Sequence, residues 1–283
     1  MNYTTPAALR TALEHRLRRR SEETGIGLNR LRRRVLLERV VARLSAAEPD
    51  RWVLKGGMAL EVRLRDAARL TKDIDLGLRG DAADLHERLV TALDKDPCGD
   101  GFVITADVPV SLREDGAGCL TWRTKVTAQL DKYFERAQLD VSPRPYELSQ
   151  TDRLTLPNAL DFAGIPAATI EVIDVNRHAA EKLHALCRQY GDRENTRVRD
   201  LVDLVLLLEH DQLDMSSVAM SAVQVWRERD DTVPPRALPT LPESWPVLYE
   251  ARAAEYDLHA QSYDTASALM RRLWADMFPN QEI

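Results

Sequence analysis

The chain has 283 residues, 44% of them hydrophobic and 30% charged, with a net charge of −6, a composition ordinary for a soluble globular protein with one large core or two smaller ones. No segment approaches the ~20 consecutive apolar residues that a membrane span needs, and no basic-then-apolar leader opens the sequence, so a cytoplasmic protein without a membrane partner is expected. Cys98, Cys119 and Cys187 are too few and too scattered for a zinc cluster or a disulfide framework.

The first expected helix starts with Thr5 as N-cap and Pro6 at its first position and stops near Gly25. A second runs over about 28–44, with an apolar stripe at Leu28, Leu31, Val35 and Val41. Residues 1–50 hold 11 Lys/Arg against 6 Asp/Glu, and Arg16, Arg18, Arg19, Arg20 and then Arg30, Arg32, Arg33, Arg34 form two basic clusters. Two readings stand side by side: solvated helix faces, or an arm that tracks RNA phosphates.

Trp52-Val53-Leu54 reads as a buried strand that breaks at Gly56-Gly57 into a tight turn, followed by a short helix over 58–65. A second strand over 70–78 has a period of two that puts Ile74 and Leu76 on the core side and Asp73 and Asp75 on the other. Those carboxylates stand roughly 7 Å apart, close enough to share divalent ions such as Mg²⁺, and they repel each other unless a cation neutralises them. Glycines at the turn let backbone N–H groups approach phosphates. In the stretch from Arg136, Leu139 and Val141 point one way and Asp140 the other. Asp140 is therefore either a third carboxylate that completes an ion or acts as base, or an exposed strand aspartate.

Strands are expected around 52, 73, 103, 125 and 139, and beyond about 176 the pattern is almost wholly helical. Residues 152–169, with Pro157, Gly164 and Pro166, read as the connection between the halves, and 234–246 as a second, proline-rich break. On the expected helix 178–190, Lys182 borders the buried stripe, where it either snorkels outward or serves a site; spacing alone favours snorkelling. The next helix, 196–209, buries Leu201, Leu204, Val205 and Leu208 and carries Asp200 and Asp203, with Arg199 placed for an ordinary ion pair four residues before Asp203. Further helices close the chain near 216–229, 247–258 and 262–278. His178 and His184 are six apart and do not share a helical face, and none of the P-loop, nucleophile-elbow or zinc-protease motifs is present.

Lys55-Gly56-Gly57, Lys72-Asp73-Ile74-Asp75, the run Ala180-Glu181-Lys182-Leu183-His184-Ala185-Leu186 and the run Arg199-Asp200-Leu201-Val202-Asp203-Leu204 together resemble the AbiEii/AbiGii toxin family of nucleotidyltransferases. The segment from Pro234-Pro235-Arg236 to Trp245-Pro246-Val247-Leu248-Tyr249 is similar to the actinobacterial MenT toxins within it. The resemblance implies an α+β fold, a DNA polymerase β-like mixed sheet with a helical C-terminal part. It divides the chain into a sheet domain over 1–165, with the basic N-terminal helices, and a helical domain over 166–283 that completes an active cleft. It further implies a toxin that uses Mg²⁺ and an NTP to add nucleotides to the 3′ acceptor end of tRNA, restrained by a cognate AbiEi-like antitoxin. Asp73 and Asp75 become metal ligands and, with Lys182 and Asp203, the catalytic set; Lys55, Gly56, Gly57 and Asp140 become substrate-binding. Many relatives have Ser or Thr after the glycines, where this chain has Met58, so phosphate contact rests on backbone N–H groups and lysines. Asp73→Ala and Lys182→Ala are expected to abolish toxicity and transfer while leaving the fold intact. Two rival classes keep other demands: a small-molecule or protein nucleotidyltransferase needs the carboxylates but no basic arm, and a non-catalytic binding module consumes no triphosphate.

Overall fold

The computed structural model describes residues 3–68, 71–112, 120–143 and 148–279, apart from the Asp66 side chain. Cys119 and Leu70, the expected first residue of the second strand, lie outside the described residues. The chain divides into two compact units, Met1–Arg65 with Leu70–Ile173, and Asp66–Arg69 with Asp174–Ile283.

The first unit opens with α1 (Pro6–Thr24) and α2 (Leu28–Ala47). Thr5 Oγ1 accepts from the Ala8 amide at 3.2 Å, and Gly25 ends α1 in the left-handed region at φ 71°, the conformation for which glycine carries no Cβ penalty. The stripe of α2 is broader than its sequence suggests: Leu31, Val35, Leu36, Leu37, Val40, Val41 and Leu44 are all buried, and so are Arg39 and Arg43. Arg43 resolves its burial with a two-pronged pair to Asp100, at 2.9 and 2.7 Å, and a bond to the Phe102 carbonyl at 2.9 Å.

Strands β1 (Trp52–Lys55), β2 (Asp73–Leu78), β3 (Val103–Ala106), β4 (Val110–Ser111), β5 (Trp122–Leu130), β6 (Lys132–Pro143), β7 (Thr151–Thr155) and β8 (Thr169–Ile173) form one sheet. Their order is β3-β5-β6-β2-β1-β8-β7, with β4 paired to β5. It is mixed: β2 runs parallel to β6 and β1 parallel to β8, while β1–β2, β5–β6 and β7–β8 are antiparallel. Helix α2 packs on β6 and β8, and α4 (Leu85–Leu93) on α2 and β3. Ile74, Leu76, Leu139 and Val141 are core residues, as the period of two demands. The segment 152–169, read from sequence as a connection, instead contributes to β7 and β8 at the sheet edge; Pro157, Gly164 and Pro166 sit between the strands, not within them.

The second unit contains α5 (Val175–Cys187), α6 (Val198–Glu209), α7 (Met215–Asp230), α8 (Trp245–Ala253) and α9 (Tyr263–Met277). Asp174 caps α5 by accepting from the Arg177 amide at 2.8 Å. Asn195 gathers the carbonyls of Ala185 and Leu186 at its other end and receives the Trp245 indole N–H on its own carbonyl, 2.8 Å away. In α6, Leu201, Leu204 and Val205 are buried as expected, whereas Leu208 is only half-buried. Pro246, expected to be part of a break, falls in the first turn of α8, where a missing N–H costs nothing.

Candidate active site

The expected tight turn at Gly56-Gly57 is itself the first turn of α3 (Gly56–Leu64), into which β1 passes directly, with Lys55 as N-cap residue. Gly56 has φ +58°, and a Cβ there would lie 1.9 Å from Asp75 Oδ2. Backbone therefore packs against the carboxylate where any other residue would displace it. Gly57 is buried in the same first turn, and Met58 is 3% exposed and packs into the core.

The registers of four adjacent strands place charged residues on one rung. Lys55 is opposite Asp75, Asp75 opposite Asp140, and Asp140 opposite Arg123. Neighbouring strands lie about 4.8 Å apart, and register partners share a face, so the rung reads cation, carboxylate, carboxylate, cation. The next rung carries Asp73, Gln138 and Lys125. Arg123 binds Asp140 through both prongs, Nε to Oδ1 at 2.9 Å and Nη2 to Oδ2 at 2.8 Å, and Gln138 adds a bond to Oδ2 at 3.2 Å. Burial and the Asp140 charge raise the Asp73 pKa, against the lowering effect of Arg123, Arg33 and Lys72. Beyond Asp75 the face is closed, because a Cβ on Gly77 would lie 2.7 Å from the Leu148 side chain.

Two supports stand behind Asp73. Buried Glu61 of α3 accepts from the Thr71 amide, and Thr71 Oγ1 donates to the Asp73 carbonyl at 3.1 Å. Arg34 lies between Glu38 and Glu61, at 3.4 and 3.9 Å.

As the side chains stand, no three His, Cys, Asp or Glu among the described residues form a ready metal-holding group. Asp73 and Asp75 still suit a hard divalent ion by their chemistry. They are carboxylates two residues apart on one strand face, one held against a glycine backbone, the other biased toward its neutral form by burial and, next, by the Asp140 charge.

In the second unit Lys182 does not snorkel. It is 6% exposed, and its Nζ donates to Asp200 Oδ1 at 2.8 Å and to Asp203 Oδ2 at 2.7 Å. Burial alone would lower its pKa, but the two carboxylates outweigh it and raise the value. Lys182 is thus a permanent cation and not a proton acceptor. Asp203, read from sequence only as a member of the catalytic set, is one of the two carboxylates that receive this lysine, and Asp200 is the other. Burial pushes the Cys187 thiol up to about 12.

Several arginines of the basic clusters are engaged within the first unit. Arg32 grips Glu14 at 2.9 and 2.7 Å, Arg33 lies 3.9 Å from Glu135, and Arg16 stacks on the Phe162 ring at 3.8 Å. Arg18, Arg19, Arg20 and Arg30 are exposed, Arg19 beside Glu23.

Sequence reasoning missed Arg123, Gln138, Asp200 and Glu61 as site residues. The alternation Trp122-Arg123-Thr124-Lys125-Val126 was the available signal for Arg123, since it puts Arg123 and Lys125 on one face.

The profile of the family described as nucleotidyl transferase AbiEii toxin, type IV toxin–antitoxin system, matches residues 39–277. No curated protein sequence matches at significance. Among solved structures, the nucleotidyltransferase toxin MenT4 of Mycobacterium tuberculosis H37Rv is similar at a TM-score of 0.60 and 20% identity, over 93% of this chain and 89% of that one. JHP933 from Helicobacter pylori is similar at a TM-score of 0.46 and 17% identity, over 89% of this chain and 91% of that one. The first of these likenesses shows a shared nucleotidyltransferase fold.

Proposed function

The chain belongs to the AbiEii family of nucleotidyltransferase toxins, and from that premise we propose that it uses Mg²⁺ and an NTP to add nucleotides to the 3′ acceptor end of tRNA, which stops translation. The family is that of a type IV toxin–antitoxin system, which implies an antitoxin partner; the proposed one is AbiEi-like. The observation that carries the catalytic reading is the charged rung Lys55–Asp75–Asp140–Arg123 with Asp73 beside it.

In this reading Asp73 and Asp75 hold the cation, which when bound supplies charge neutralisation at the triphosphate. Backbone N–H groups of Gly56 and Gly57 meet phosphate oxygens at the first turn of α3, where the helix end favours negative charge, and Lys55 adds a cation there. Lys182, kept charged by Asp200 and Asp203, and Asp203 belong to the proposed catalytic set, with Lys182 as a fixed cation that takes no proton. Asp140 is the group placed to accept the proton of the attacking hydroxyl. Nucleotidyl transfer needs positioning and charge compensation more than covalent chemistry, and these residues supply both.

The test incubates the purified chain and Mg²⁺ with each labelled NTP, total tRNA and cell protein. The expected result is label at tRNA 3′ ends, lost in Asp73→Asn. Label on protein or on a small molecule would replace the RNA substrate with one of the rival acceptors, and no transfer with any acceptor would refute the catalytic reading.

A further inference from the structure

Both oxygens of Asp140 are already taken. A carboxylate offers about four lone-pair sites; Arg123 uses one on each oxygen and Gln138 a second on Oδ2. In this state Asp140 has one acceptor site left, on Oδ1, and the Arg123 charge held against both oxygens opposes a cation there and weakens the carboxylate as a base. The Arg123 charge also acts on Asp73 and Asp75, so one guanidinium offsets part of the negative field of the whole carboxylate face. The two partners differ in freedom. The Arg123 side chain is 40% exposed and that of Asp140 13%, so the arginine can leave toward solvent without opening the core, and the aspartate stays.

We propose that Arg123 is a displaceable internal counter-ion: it holds Asp140 closed, competes with a divalent cation for the carboxylate face, and releases Asp140 when that cation arrives. The proposal rests on the reading of Asp73 and Asp75 as the cation site and adds a positioning residue to it. The bidentate pair sets the threshold for loading, since two parallel charge-assisted bonds must be given up. The freed guanidinium remains on the same rung, ready to pair with a phosphate oxygen instead.

The test measures binding of Mn²⁺ alone, by calorimetry and by loss of the free-ion resonance signal, to the full chain, R123Q, D73N, D140N and the double variant R123Q/D140N. R123Q should bind Mn²⁺ roughly tenfold more tightly, as removal of one competing unit charge near the ion implies. The gain should shrink severalfold in the D140N background, because the clasp on Asp140 is then lost and only the Arg123 field on Asp73 and Asp75 remains. Equal or weaker binding by R123Q overturns the counter-ion role while leaving the carboxylate site standing. An undiminished gain with D140N also overturns it, as it would make Arg123 a general field and not a clasp. Binding unchanged in D73N, or absent from every variant, removes the cation site itself and this proposal with it. Arg123 projects from a strand surface, so R123Q should stay folded, with a lowered unfolding temperature that Mn²⁺ restores.

Discussion

Replacing Lys182 removes one charge and strands two, for Asp203 is fully buried and Asp200 largely so. The sequence reading treats Lys182→Ala as harmless to the fold, whereas a broken buried pair costs about 3–5 kcal/mol. Lys182→Ala should therefore lower the unfolding temperature as well as abolish transfer, and Lys182→Met combined with Asp203→Asn should recover part of the stability without activity. A single variant as stable as wild type in denaturant titration would show that the pair is not coupled to folding. The same residue shows what a local pattern cannot reveal. Spacing on α5 places Lys182 at the margin of the buried stripe, but its partners lie 18 and 21 residues later, and only the packing of α6 decides that it turns inward. Arg123 is the parallel case, because its partner depends on the β5–β6 register, while the alternation that exposes Asp73, Asp75 and Asp140 is legible within each strand.

Helix α2 carries a charge whose ionisation opposes folding. Burial pushes the Glu38 carboxyl from its ordinary 4.5 up to about 7, despite the lowering effect of Arg34 and of the bond from the Ala159 amide. Between those pH values the folded chain binds a proton that the unfolded chain has released, so stability falls as pH rises through the window, by roughly 3 kcal/mol in all. Glu38→Gln should flatten the change in unfolding temperature between pH 5 and pH 7.5, and parallel profiles for the two proteins would dismiss Glu38 as the source. Among the elements, α1, α2, β1, β2, β5, β6 and the late helices were legible because caps and periodicity are local. The strands β7 and β8 were not, since prolines and glycines around them speak more loudly than five-residue runs, and α4 is short and begins at Asp84 in a left-handed conformation.

On the scale of the molecule, a net charge of −6 sets a general repulsion from RNA that local basic surface must overcome. Arg18, Arg19 and Arg20 of α1 are exposed to solvent, which makes them the candidates for phosphate contact. Replacing Arg18, Arg19 and Arg20 together with Ala should weaken tRNA binding and flatten its salt dependence, and an unchanged slope in a salt titration would exclude α1 from the interface. The charged rung also bears on biosynthesis. Its four members come from strands that begin as early as Trp52 and end as late as Pro143, and β2 must pair in parallel with a partner more than sixty positions downstream, a slow and non-local event. A nascent polypeptide still short of Asp140 has no complete rung to assemble, so the carboxylate face cannot form until about half of the message has been read.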